Sequence, residues 1–390
     1  MAEKKKKYLY VGFYSLPDRD ASANRVLSNA KALSSKGNTV IFIDEQEDYP
    51  YVSFAKSKHT VDKWDVWSLK RPKGIKRFIR KMITIEDIKY VIKQYEKIDA
   101  IIAYNYPSFA LYRLYQLCKK KGICVIADCT EWYSGQEYVF PLNLLCAIDS
   151  WFRMTIVQKK LSGVMCISSY LFDYYKGTTE VLLVPPLVDK SDKKWKQDKI
   201  EFDESKINLV YAGRPGRNKE LLLPIIECLR KSVNKQQIIF RIIGITEAQF
   251  VEMHPQSIDL IQNMGANLFF YGRIPHNDTI RIITSSDYMI FLRPKNRVSS
   301  AGFSTKFVDS VTCGTAVITN NTGDLKKYVD KIGVGYVIEN IAELNNVLNM
   351  DFCLLKSNGR KLTNVRSGIF DYNEYSERMS IWLNNLIDCV

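Results

Sequence analysis

Ile207-Asn-Leu-Val-Tyr-Ala-Gly213-Arg214-Pro-Gly216-Arg217-Asn218-Lys219-Glu220-Leu-Leu-Leu223 reads as three consecutive elements. An apolar, β-rich run ends at Ala212, glycine and proline interrupt it, and a leucine cluster opens a helical pattern over 218–231. Strand, turn and helix in that order are the beginning of a βαβ unit. Downstream the same alternation continues, with strands predicted at 238–243, 267–271, 287–291, 316–319 and 334–338 and a helix at 304–312.

Upstream, short apolar runs predict strands at 8–13, 39–43, 99–103, 123–127, 164–167 and 181–184. Helical patterns fall at 22–36, 85–97 and 108–121. In the first of these Val26, Ala30 and Leu33 share a face, Ser22 is placed to cap the start and Gly37 to stop it. Strands alternating with helices predict an α/β chain of parallel sheets covered on both faces. The series breaks at Pro185-Pro186, and the polar, aperiodic Lys190–Lys206 follows. The expected organisation is therefore a Rossmann-like lobe over 1–187 that holds the acceptor, a linker over 188–206 and a second Rossmann-like lobe over 207–370 that holds the donor. A C-terminal helix over 371–390 closes the chain, with Tyr375, Met379, Trp382, Leu383, Leu386 and Ile387 at helical spacing, and returns towards the first lobe. Two such lobes face one another across a cleft, and ligands bind beyond the carboxyl ends of the strands.

Composition excludes several classes. No apolar run reaches the roughly 18–20 residues that a membrane-spanning helix needs. Lys4–Lys7 followed by Tyr8-Leu-Tyr-Val-Gly-Phe13 reads as a first strand, not a signal peptide, which points to the cytoplasm. The nine cysteines form no CxxC pair and are read as buried, reduced thiols, while three histidines in no ligand spacing leave no metal site expected. The net charge of +14 is uneven: residues 1–190 carry 30 Lys+Arg against 20 Asp+Glu. The densest part, residues 70–83, is half basic, with Ile75, Phe78, Ile79, Met82 and Ile83 interspersed. It is either a solvated helix face or a segment lying on an anionic membrane. No nucleic-acid module is recognisable, so no such partner is expected.

Chemistry concentrates in the second half. The turn at Gly213, with Arg214 and Lys219 beside a helix start, suits an anion such as a diphosphate, although a plain strand–helix turn has the same pattern. A second segment runs Ser299-Ser-Ala-Gly302-Phe303-Ser304-Thr305-Lys306-Phe-Val-Asp309-Ser-Val-Thr-Cys313-Gly314-Thr-Ala-Val-Ile-Thr319. Its small-residue loop would let a ligand approach the backbone at Gly302. The amides of Ser304 and Thr305 would point at phosphate, and Asp309 could take both hydroxyls of a ribose.

With these two segments the chain resembles the group 1 (family four) glycosyltransferases, which have the GT-B fold. Their second lobe carries G-R-x-x-x-x-K, matched by Gly213, Arg214 and Lys219, and E-G-F-x-x-x-x-x-E followed by C-G. Gly302-Phe303, Asp309 and Cys313-Gly314 match the latter in order and spacing. The resemblance implies a retaining, metal-independent transfer of sugar from a nucleoside diphosphate donor. Gly213, Arg214, Lys219, Ser304, Thr305 and Lys306 would hold the diphosphate; Gly302, Phe303 and Asp309 the sugar and ribose; Arg273 and Ile274 the base. Two departures stand out: Ala301 replaces the family's first motif glutamate, and the first loop reads Ala21-Ser22-Ala23-Asn24-Arg25 without a glycine pair. Ser22, Asn24 and Arg25 are assigned to the acceptor side. A histidine expected after a middle strand is also absent. Asp128 and Glu131 occupy that place and are the candidate catalytic carboxylates, with a helix cap or structural role as the alternative. No cofactor is expected. The acceptor would be a saccharide or a lipid-linked saccharide in polysaccharide assembly. Rival readings are a catalytically inactive scaffold of the same fold, a nucleotide-sugar 2-epimerase and, last, a nicotinamide-dependent oxidoreductase, for which the G-x-G-x-x-G turn is missing.

Overall fold

A strand ladder in which nearly every neighbour is parallel organises each half of the chain. The computed structural model describes residues 5–17, 19–74, 79–80, 82–133, 135, 140–216, 220–333, 335–360 and 368–390. It divides into two units, Met1–Val188 with Asp371–Val390, and Asp189–Phe370. The first unit contains β1 (Lys7–Gly12), β2 (Thr39–Gln46), β3 (Lys58–Val61), β4 (Trp64–Lys70), β5 (Ala100–Tyr104), β6 (Cys124–Cys129), β7 (Gly163–Cys166) and β8 (Glu180–Leu183). Their order is β3-β4-β2-β1-β5-β6-β7-β8, parallel except for the β3–β4 pair. The second unit contains β9 (Ile207–Ala212), β10 (Ile238–Ile243), β11 (Leu268–Gly272), β12 (Tyr288–Phe291), β13 (Ala316–Asn320) and β14 (Tyr336–Ile338), ordered β11-β10-β9-β12-β13-β14 and wholly parallel. The expected α/β class with two Rossmann-like units is therefore what the chain forms.

The structure differs from the sequence reading at four points. The β3–β4 hairpin was not foreseen, although Asp62-Lys63 between two short β-rich runs is a turn signal, and Asp62 takes φ 52° there. Residues 189–206 are not a free linker but belong to the second unit. Trp195 is buried, the Ile200 amide donates to Ser285 Oγ at 2.7 Å, and the Arg241 guanidinium stacks on Phe202 at 3.7 Å. The helix Ala21–Ser34 is capped by Asp20, whose carboxylate accepts from the Ala23 amide at 2.7 Å, not by Ser22. Cys353 and Cys389 are exposed, contrary to the reading of all nine cysteines as buried.

Helix Asn373–Asp388 folds into the first unit, where Met379, Leu383 and Leu386 join a core built on Tyr10, Phe42, Ile102 and Ile126. Beneath helix Ala21–Ser34 the core contains a charged cluster. Arg25 donates from Nε and Nη2 to Asp128 Oδ1 at 2.9 and 2.7 Å, and from Nη1 to the carbonyls of Val184 and Pro185. Asn29 Nδ2 donates to Asp128 Oδ2 at 3.2 Å, and Tyr10 Oη donates to the same oxygen. Burial, then the Asp128 charge, push the Tyr10 hydroxyl well above its usual range, so it keeps its proton. A buried pair loses its solvation on both sides, so breaking it exposes the full cost. Asp128→Ala strands Arg25 and should lower unfolding stability by about 3–5 kcal/mol in denaturant titrations. Arg25→Met combined with Asp128→Leu should cost less than the two single losses added together. Additive losses would show that the pair is not coupled.

Candidate active site

In the second sheet the strand order reverses at β9, which lies between β10 and β12. β9 and β12 pair only at Leu209–Tyr288 and Val210–Met289, so no ladder bridges their carboxyl ends. Such a switch point is where open α/β sheets present a crevice. The first residue beyond β9 is Gly213, at φ 141°, its amide donating to the Ile243 carbonyl at 3.0 Å. Gly244, at the end of β10, packs so tightly against this turn that a Cβ there would lie 2.4 Å from the Gly213 carbonyl oxygen. Arg214 follows, exposed and with no hydrogen bond or ion pair among the described residues.

The second motif meets this turn. Helix Thr305–Cys313 begins at Ser304, whose side chain makes no cap hydrogen bond, and ends at left-handed Gly314. The first amides of a helix have no intrahelical acceptor, so those of Ser304, Thr305 and Lys306 offer donors and the positive end of the dipole. Lys306 projects from that first turn onto the backbone of Gly213: a Cβ on residue 213 would lie 2.7 Å from Lys306 Cε. Its ammonium donates to Glu220 Oε1 at 2.8 Å and lies 5.4 Å from the centre of the Tyr211 ring. The Glu220 side chain is only 7% exposed, and among the described residues neither its Oε2 nor the Tyr211 hydroxyl has a hydrogen-bond partner. Asp309, one turn further along, is half-buried. Burial raises its carboxyl to about 6, against the opposing pull of Lys194 and Lys306. Lys306 and the first turn of the helix are thus brought to the Gly213 turn, which Arg214 follows in the chain.

The structure distributes the other expected residues differently. Gly213, Ser304, Thr305 and Lys306 converge. Lys219 lies outside the described residues, as do Ile75 and Phe78 of the basic segment. Residues 297–301 form a helical turn capped by Asn296, not a loop, and Ala301 is fully buried in it. The Phe303 ring faces inward, packed within 5.3–6.1 Å of Phe307, Tyr328 and Phe370, so only its backbone and that of Gly302 remain for a ligand. Arg273 is exposed directly after Gly272, and Ile274 is half-buried. In the first unit Asp128 and Arg25 are structural and do not face a site, since both oxygens of Asp128 and all of the Arg25 nitrogens are engaged in the core. Ser22 Oγ accepts from the Tyr104 hydroxyl at 3.0 Å, and Asn24 is half-buried on the same helix. Glu131 is half-buried just past β6, its carbonyl accepting from Arg153 Nη2 at 3.4 Å. Glu220 and Lys194 were missed. Glu220 stood in the quoted motif as the one acid among its basic residues, and Lys194 was hidden in a segment read as linker.

The Asp309 carboxyl gives this geometry a measurable signature. Its folded value of about 6 exceeds the ordinary 3.8, so between those values the native state holds a proton that the unfolded chain has lost. This contribution to stability is present below pH 4 and falls as pH rises towards 6. Asp309→Asn should remove that part of the slope in unfolding measured from pH 4 to 7. An unchanged slope would show that the carboxyl titrates normally.

Comparison with known proteins agrees with this fold. Residues 192–349 match the family model described as "Glycosyl transferases group 1". No curated protein matches the sequence. Among solved structures, sucrose-phosphate synthase from Thermosynechococcus elongatus superimposes with a TM-score of 0.71 at 14% identity, covering 99% of this chain and 100% of that one. HepE from Anabaena in complex with UDP and glucose gives 0.64 at 14%, covering 97% and 100%. The catalytic domain of starch synthase IV from Arabidopsis thaliana bound to ADP and acarbose gives 0.63 at 11%, covering 98% and 100%. At such identities these likenesses establish the fold. The family match spans the Gly213 turn and helix Thr305–Cys313 alike, so the second unit is similar to the group 1 glycosyltransferases, and the chain as a whole has the GT-B fold.

Proposed function

We propose that this glycosyltransferase moves a sugar, with retention of configuration, from a nucleoside diphosphate donor to a hydroxyl of a saccharide or lipid-linked saccharide in polysaccharide assembly. The observation that carries the donor half is the seating of Lys306 against Gly213 at the amino end of helix Thr305–Cys313. When the bond from the anomeric carbon to the phosphate oxygen breaks, its electron pair stays on the diphosphate. Preorganised donors stabilise such developing charge without having to reorganise. Arg214, Lys306 and the amides of Ser304 and Thr305 take this role, with Lys219 as a further cation from the sequence, so that charge a metal would supply comes from the chain. Asp309 receives the ribose hydroxyls, and Arg273 with Ile274 borders the base. On the acceptor side Glu131 is the accessible carboxylate; Ser22 and Asn24 contribute from helix Ala21–Ser34. The complexes of HepE with UDP and of starch synthase IV with ADP recommend both bases as candidates.

A thermal-shift panel of UDP, ADP and GDP with their glucose conjugates tests donor binding. A ligand at about 100 times its dissociation constant should add about 2.7 kcal/mol to native stability. Arg214→Ala should leave unfolding unchanged and lower transfer by about 100-fold or more. Full transfer by the variant refutes the assignment, and donor binding without any turnover favours the scaffold reading that the buried Ala301 suggests.

Asp309 must be ionised to accept two hydroxyl hydrogen bonds. Donor affinity should therefore weaken as pH drops through about 6, following the protonation of that carboxyl. Asp309→Asn should bind weakly at every pH, and a pH-dependent wild type beside an equally pH-dependent variant would remove Asp309 from the site.

A further inference from the structure

Helix Leu142–Phe152 is built inside out. Its inward side is polar: Ser150 is buried, and Asp149 Oδ1 accepts from the amide and hydroxyl of Ser108 at 2.8 and 2.7 Å. Its outward side carries Leu144, Ile148 and Trp151 at helical spacing with Leu145 beside them, exposed by 53, 50, 57 and 42%. Phe140, just before the helix, is 75% exposed. A surface helix ordinarily shows the opposite polarity, and contiguous apolar surface of this kind marks an interaction site.

The apolar area extends onto helix Ser108–Lys119. Exposed Phe109 stacks near Phe152 with ring centres 5.4 Å apart, and one turn on Arg113 donates to the Ile83 carbonyl at 2.9 Å. That bond brings exposed Ile79, Arg80 and Ile83 to the same flank. Arg80, Lys119 and Lys120, all exposed, form no ion pair with a described carboxylate. The surface thus combines an apolar helix face bearing a tryptophan with a rim of unpaired positive charge.

We infer that this face of the first unit docks on an anionic lipid bilayer, with helix Leu142–Phe152 lying in the interface. Apolar burial and attraction to anionic headgroups add together in such binding, and an indole suits the boundary between them. A second copy of the chain would bring the same positive rim against itself, whereas a bilayer offers both the apolar depth and the opposite charge. Of the basic segment 70–83, Ile79, Arg80 and Ile83 flank this face, and the larger exposed apolar area lies on Leu142–Phe152. The inference is independent of donor chemistry and would bring the enzyme to a lipid-linked acceptor.

Flotation of the full chain with phosphatidylcholine vesicles, with and without phosphatidylglycerol, tests it. Binding should require the anionic lipid and decline with added salt. Leu144→Ser, Ile148→Ser and Trp151→Ser combined should reduce the bound fraction by about tenfold or more. The nucleotide thermal shift of that variant should be unchanged, which separates this failure from failure of the donor site. In the Trp151→Phe variant, emission quenched by brominated lipid should fall relative to wild type. Absence of wild-type flotation on anionic vesicles overturns the inference. So does full flotation of the triple variant, or a concentration-dependent dimer that the triple variant abolishes.

Discussion

One ammonium group, on Lys306, connects two stretches of the second unit that are far apart in sequence. Glu220 holds it at 2.8 Å, and the methylenes behind it rest where any side chain on residue 213 would have to be. The constraint is steric and electrostatic at once. A side chain on residue 213, just past β9, would displace the lysine's methylenes from this seat, and the φ of 141° there favours glycine in any case. Only a carboxylate in the low-dielectric surroundings keeps the lysine from withdrawing to solvent. Among the described residues the second oxygen of Glu220 and the Tyr211 hydroxyl have no partner, so the cluster has room for a further polar group.

The first unit uses buried charge for the reverse purpose. Asp128 looked from its position at a strand end like a catalytic carboxylate, and Arg25, four residues into the first helix, like an acceptor contact. Both statements about position are correct, since β6 does end at Cys129 and the helix does begin nearby. What sequence could not supply is which way each side chain points. The helix turns Arg25 inward, and the guanidinium and carboxylate neutralise one another against the sheet. The residue three positions later, Glu131, stands outside the strand and remains available.

Much of the fold was legible because parallel strands covered on both faces are short unbroken apolar runs, and all six strands of the second unit announced themselves in that way. The β3–β4 hairpin escaped because its residues alternate and sit at a sheet edge, where the pattern is weak. The site was half legible. Glycine and backbone requirements leave a mark on sequence, so the Gly213 turn and the start of helix Thr305–Cys313 could be found. Partnerships do not: Glu220 beside Lys306, or Lys194 near Asp309, depend on chain segments that only folding brings together. Phe303 shows the same gap, a motif residue whose ring belongs to an aromatic core.

The path of the chain through its two units has a consequence for biosynthesis. The second unit is continuous, residues 189–370, whereas the first needs residues 371–390 to complete it. Met379, Leu383 and Leu386 fill its core from that last helix. On the ribosome, then, the unit translated first is finished second. Until the final helix emerges, the first unit keeps an open apolar flank, while the second already has everything it needs to fold.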